Sequence, residues 1–201
     1  MRLYKGVLMT LSLALLLSGC GIGEAKPEQE ALRLRETYQN LTGFQAQAEV
    51  TADYGDRAYQ YTVRCAGNAQ AGSLTVIAPE SIAGAGAAWE DGKTALEYEG
   101  ISLETGQLSP DGLSPADALP VILSACANGA LTESGWADWG EGEQSLYLLL
   151  QNPAAQESQI AIWAAPETWA LRQAEIRWEE QRVISFTFTD FTLETAEPST
   201  E

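Results

Sequence analysis

The stretch GFQAQAEVTADYGDRAYQYTVRC, residues 43–65, decides the architecture. Phe44, Ala46, Ala48, Val50 and Ala52 occupy every second position with polar residues between them; Tyr59, Tyr61, Val63 and Cys65 repeat the pattern beyond Gly55-Asp56. Successive side chains of a strand point to opposite faces, so a period of two over this length reads as two half-buried strands joined by a turn.

Upstream, the period is different. From Pro27 to Leu41 the apolar residues Ala31, Leu34, Tyr38 and Leu41 recur at intervals of three and four, which predicts an amphipathic helix with Pro27 in its first turn and Gly43 as its stop. Downstream, the alternation continues. Leu74, Val76 and Ala78 form a third strand ended by Pro79, and Asp91-Gly92 is a two-residue hairpin turn leading to Leu96 and Tyr98. One segment breaks the pattern: Ser114 can cap, Pro115 fits a first helical position, Asp117 follows three residues after the cap, and Asn128-Gly129 closes a helix that is apolar over much of its circumference. A helix of that kind must cover something. Alternation resumes to Leu193, with about nine to eleven strands in all by turn spacing. Phe191 falls out of phase with Ile184, Phe186 and Phe188, which predicts a bulge at Asp190. The fold class is therefore mainly β with α (α+β).

Composition removes several chemistries. The chain of 201 residues has 11 Lys and Arg against 28 Asp and Glu, a formal charge of −17, so it cannot neutralise phosphates and nucleic acid is excluded as a partner. It has no histidine, so neither a Ser-His-Asp nor a Cys-His arrangement can be built. No cofactor motif or metal-ligand spacing occurs, and the expectation is a binding protein rather than an enzyme. The acidic pairs Asp53 with Asp56, Glu90 with Asp91, Glu141 with Glu143 and Glu179 with Glu180 lack the alternating pattern of a calcium loop and read as solvated turns.

The first residues point to export. Arg2 and Lys5 precede an apolar run from Val7 to Leu17, too short for a bilayer-spanning helix of about 20 residues. Leu17-Ser18-Gly19-Cys20 looks like a bacterial lipobox, so residues 1–19 are expected to be a lipoprotein signal peptide, Cys20 the diacylglyceryl anchor, and residues 20–27 a flexible linker. Residues 28–193 would form a single domain and 194–201 a frayed polar tail. The expected location is the outer face of the cytoplasmic membrane. In an exported chain Cys65 and Cys126 read either as a disulfide or as two small buried thiols.

The order of elements, a helix ending in Leu41-Thr42-Gly43-Phe44, a strand meander, a helix carrying Leu119-Pro120-Val121-Ile122-Leu123, and strands ending in Val183-Ile184-Ser185-Phe186-Thr187-Phe188-Thr189-Asp190-Phe191, resembles the LolA/LolB-like superfamily of lipoprotein carriers and lipid-anchored envelope proteins. The resemblance covers residues 28–193. It implies a curved antiparallel sheet forming an incomplete β-barrel, a half-barrel, whose concave apolar face is lidded by helices and receives a lipid, an acyl chain or a lipidated peptide. The lipobox is closer to anchored members, among them the germination lipoproteins of spore formers, which implies instead an envelope or spore protein as partner around a closed core. Under the first alternative the lipid-binding wall is Phe44, Val50, Tyr61, Val63, Leu74, Val76, Leu96, Ile184, Phe186 and Phe188, with Leu119, Ile122 and Leu123 as the lid. The same residues serve equally as an ordinary core. Ala46, Ala48 and Ala52 on the inward face leave volume that no neighbour in sequence refills. Tryptophans at 89, 136, 139, 163, 169 and 178 are either core bulk or an exposed platform.

Overall fold

A computed structural model describes residues 26–106, 108–109 and 111–196. The expected signal peptide, Cys20 and most of the expected linker lie outside the described residues, as do residues 197–201. Helix α1 spans Pro27–Gln39 and helix α2 spans Pro115–Asn128. The strands are β1 Leu41–Asp53, β2 Ala58–Gly67, β3 Ala71–Ala78, β4 Gly86–Glu90, β5 Lys93–Tyr98, β6 Ile101–Glu104, β7 Leu131–Gly140, β8 Glu143–Gln151, β9 Ser158–Ala164, β10 Leu171–Trp178 and β11 Gln181–Thr195.

The eleven strands form one antiparallel sheet in the order β6-β5-β4-β3-β2-β1-β11-β10-β9-β8-β7. Two meanders, β1–β6 and β7–β11, are therefore joined along the pairing of β1 with β11. β6 and β7 are the two ends of this order, so the barrel is incomplete and the fold class read from sequence holds. The chain leaving β6 must reach β7 at the opposite edge. It does so through α2, which packs on β4, β5, β8 and β10, while α1 packs on α2, β7 and β8. An apolar helix at this point is a consequence of topology, because a segment crossing an apolar face is buried on the way.

Local details differ from the sequence reading at three places. α1 ends at Gln39, capped by Asn40, whose N–H donates to the Glu36 carbonyl, and Gly43 lies inside β1. β11 runs through Thr195, with Glu194 opposite Gly43 and Thr195 opposite Leu41, so pairing continues two residues past the expected end of the domain. The bulge falls one residue earlier than expected: Gln47 pairs Asp190 and Ala48 pairs Phe188, leaving Thr189 extra. Its effect is the expected one, since it returns Phe191 to the face of Phe186 and Phe188.

Candidate functional site

Residues directly opposite in an antiparallel ladder share a face. By this rule Val50 with Tyr61 and Phe186, Val63 with Val76, Cys65 with Leu74, and Ala52 with Ile184 all look toward α2. The structure thus brings the expected wall together. Phe44, Val50, Val63, Leu74, Val76, Ile184 and Phe186 are buried in one continuous core with Leu119, Ile122 and Leu123 of α2, and Tyr61 and Phe188 pack half-buried against it.

The expectation of unfilled volume beside the small residues is corrected by β11. Ala48 faces Phe188 and Ala46 faces Phe191, so each alanine makes room for a ring on the neighbouring strand. Phe188 meets Phe191 edge-on at 4.9 Å and stacks on Phe186 at 5.9 Å, while Phe191 stacks on Phe44 at 5.5 Å. Large-against-small complementarity across strands is how a core reaches native density. Beside α2 there are clefts of about 180 Å³, lined by Trp89, Thr94, Asp117, Val121 and Asn152 among others, and about 40 Å³, lined by Leu34, Cys126, Leu148 and Leu150 among others. Both are smaller than the roughly 300–1,000 Å³ usual for small-molecule sites.

Cys65 and Cys126 are both buried free thiols, which corrects the disulfide reading. Cys65 sits on the sheet between Ala46 and Leu74, whereas Cys126 lies on α2 in the layer of Leu34 and Leu148 under α1. Burial pushes the Cys65 thiol up to about 12 and raises Cys126 further. They behave as small apolar residues.

Asp117 does not complete a capping box with Ser114, whose side chain makes no cap bond. Its buried carboxylate instead accepts the Thr94 hydroxyl of β5 and, at 2.7 Å, the Ser109 backbone N–H. This latch ties the start of α2 to the sheet and marks where cover ends. Beyond it the concave face continues uncovered: Leu74 opposes Ala87, Ala87 opposes Leu96, Leu96 opposes Leu103, and Tyr98 opposes Ile101. Leu74 and Ala87 are buried, but Leu96 is 37% exposed, Tyr98 47%, Leu103 62% and Ile101 72%. Leu96, expected in the closed wall, thus belongs to an open rim, because α2 reaches no farther than Thr94. Ile101 and Leu103 were not anticipated from sequence. Their signal was present in Ile101-Ser102-Leu103-Glu104 directly after the Glu99-Gly100 turn.

The tryptophans divide between faces instead of forming one platform. Trp89 is buried and its Nε1–H donates to the Asn68 carbonyl at 2.9 Å. Trp163 packs on Tyr147 at 5.1 Å, and the Arg172 guanidinium lies 5.6 Å from the Trp139 ring. The acidic pairs sit at hairpin ends, where Asp91, Glu141, Glu179 and Glu180 take positive φ. Among the described residues no group of three or more His, Cys, Asp or Glu is placed to hold a metal ion, and no helix is long and apolar enough to cross a membrane.

No protein-family model matches the chain, and no curated protein matches it. Several solved structures are similar in fold. A DUF1329 family protein from Desulfovibrio piger aligns at 10% identity and TM-score 0.49, covering 86% of this chain and 93% of that one. A LolA superfamily protein from Nitrosomonas europaea aligns at 11% identity and TM-score 0.45, covering 87% and 96%. A chain in the structure of the CwlD amidase from Clostridioides difficile in complex with the GerS lipoprotein aligns at 12% identity and TM-score 0.38, covering 85% and 94%. In this chain the sheet is open and two helices pack across it.

Proposed function

We propose that this chain is an exported bacterial envelope lipoprotein, anchored to the outer face of the cytoplasmic membrane through Cys20, that acts by holding a protein partner on its surface and not by catalysis. One observation carries the choice between the two alternatives left open by the sequence. The residues that would line a lipid cavity are packed against one another and against α2, while the most exposed apolar side chains of the sheet, Ile101 and Leu103, lie outside the helix on β6 beside Leu96 and Tyr98 of β5. Apolar area already removed from water has little left to gain from an acyl chain, at roughly 25 cal/mol per Å² of new burial. The leader, with Leu17-Ser18-Gly19-Cys20, supports export and lipidation.

The test uses the full-length protein extracted from membranes. Mass spectrometry of its N-terminal peptide is expected to show a diacylglyceryl group on Cys20, and Cys20→Ala is expected to release the domain from the membrane fraction. Native mass spectrometry of the detergent-exchanged protein is expected to show no lipid beyond the covalent one. A second, stoichiometric lipid would return the reading to a lipid carrier. That alternative draws support from the half-open Tyr61 and Phe188 and from the cleft beside Thr94 and Val121.

A further inference from the structure

Strand β6 combines three properties that its counterparts in the sheet lack together. It is an edge, since among the described residues no strand pairs with it on the side away from β5. Its concave-side residues Ile101 and Leu103, with Leu96 and Tyr98 of β5, form a contiguous exposed apolar face. Its surroundings are acidic: residues 86–104 carry Glu90, Asp91, Glu97, Glu99 and Glu104 against Lys93 alone.

The phase of the ladder fixes which backbone groups are available. Tyr98 and Ile101 close the two-residue Glu99-Gly100 turn, both of whose residues have positive φ, and the Thr105 N–H donates to the Thr94 carbonyl. Hydrogen-bonded pairs therefore fall at 98 with 101, 96 with 103 and 94 with 105, and the N–H and C=O of Ser102 point away from the sheet. Natural edges are blunted by lysine, proline, bulges or cover. Among the described residues β6 has no lysine, proline, bulge or cover, and is blunted only by its short length and the carboxylate of Glu104.

We propose that β6 is a docking edge for an extended cationic segment of a partner protein, one that alternates apolar residues with Lys or Arg and adds as a twelfth strand. The inference rests on the protein-binding reading above and deepens it by naming the surface and the chemistry of the partner. Alternation in the added strand sets its apolar residues beside Ile101 and Leu103 on the concave side and its cations beside Glu104 and Glu97 on the other. Main-chain bonds to Ser102 supply register, and opposite charge supplies on-rate and selectivity. Charge also decides between occupants. A second copy of a chain with a net charge of −17 brings like charge to an acidic edge, whereas a basic segment is drawn to it. An acyl chain would use the apolar residues but leave the backbone of Ser102 and the surrounding carboxylates unused.

The experiment titrates the full soluble chain (Cys20→Ala, leader removed) with a fluorescent ten-residue peptide of alternating Val and Lys, and with its Val/Glu counterpart. Expected results are saturable binding of the Val/Lys peptide only, a loss of at least tenfold in affinity with Leu103→Lys and with Ser102→Pro, and weakening as salt rises. Proline at an outward-facing edge position is compatible with the fold, and circular dichroism confirms that both variants are folded. The triple variant Glu97→Gln, Glu99→Gln, Glu104→Gln, which alters no apolar surface, is expected to lose about threefold or more and to flatten the salt dependence. Three results overturn the proposal: no binding of the Val/Lys peptide at millimolar concentration, binding unaffected by Ser102→Pro, or a dimer in sedimentation that Ser102→Pro abolishes while the peptide does not bind. Binding of a dansyl fatty acid in the same assay, displaced by lipid and unaffected by Ser102→Pro, would count against the closed-core reading itself, so the two failures are told apart.

Discussion

Strands β8 and β9 place an apolar residue at every second position of their inner face, and so do β5 and β6, yet Leu146, Leu148, Ile160 and Ile162 are wholly buried while Leu96, Tyr98, Ile101 and Leu103 stand open. The difference lies in what crosses above them. Both helices lie over the β7–β10 side, and α2 meets the other meander chiefly at β4 and β5, where Asp117 grips Thr94. Alternation selects a face of a strand but does not say whether a second layer will cover it. An open sheet of eleven strands crossed by one 14-residue helix and flanked by another leaves some concave surface bare. It is bare at the acidic end.

The largest effect that separates the covered region from the rim should come from base. Burial raises the thiols of Cys65 and Cys126 and the phenols of Tyr38 and Tyr61 above their ordinary values. A raised pKa means that the folded chain holds a proton the unfolded chain has released. The stabilisation is complete below the unfolded values, about 8.5 for Cys and about 10 for Tyr, and is lost as pH climbs toward the folded ones, by up to about 1.4 kcal/mol per pH unit for each group. Chemical denaturation at pH 8, 9.5 and 11 should show a steep fall, and Cys65→Ala with Cys126→Ala should make it shallower. A flat profile to pH 11 would mean that the layer beneath the helices is open to solvent.

Next in size is Phe186→Ala, which removes a ring buried between Val50 and Ala174. A loss of about 3–5 kcal/mol is expected from lost transfer and the cavity left behind, read as a lower denaturant midpoint with an unchanged slope. A loss under about 1 kcal/mol would show that the concave face is loosely filled, and would favour the lipid-carrier alternative. Asp117→Ala comes third. It strands the Ser109 N–H and the Thr94 hydroxyl, at a cost of about 1–3 kcal/mol, and amide exchange is expected to quicken at Ser109 and along β5 before it changes in β8. Uniform quickening across the sheet would make the latch part of the main core and not its boundary.

Much of this was legible in the sequence, and the limits of legibility are physical. The period of two in 44–52 and 59–65, the helix from Pro115 to Asn128 and the out-of-phase Phe191 each reflect a local backbone requirement, so they located α2 and the bulge to within a residue and the ends of β1 and β2 to within three. What local pattern does not contain is pairing between distant strands. That Ala46 and Ala48 make room for Phe191 and Phe188 depends on a register set 140 or more positions away, so volume that looks vacant along β1 is filled from β11. Leu96 and Leu74 look alike in sequence for the same reason. Both sit on the inner face of their strands, and only the reach of α2 makes one core and the other rim. Cys65 and Cys126 show it again: two buried thiols on a strand and a helix invite pairing until the layers are placed, with α1 and α2 holding one and the sheet the other.

The smallest predicted effect is the sharpest check on the rim. Leu103→Thr replaces an exposed side chain by a β-branched one that suits a strand, on an edge whose inward backbone bonds it leaves untouched. If Leu103 stabilised the fold as Leu148 does, its truncation would cost several kcal/mol. At 62% exposure it has little burial to lose, and the expected change is within about 0.5 kcal/mol. Thermal unfolding of Leu103→Thr beside Leu148→Thr therefore measures cover directly: near coincidence with the parent for the first and a large drop for the second. A large drop at both positions would place Leu103 under a layer, and the apolar face on β6 would then be part of the core.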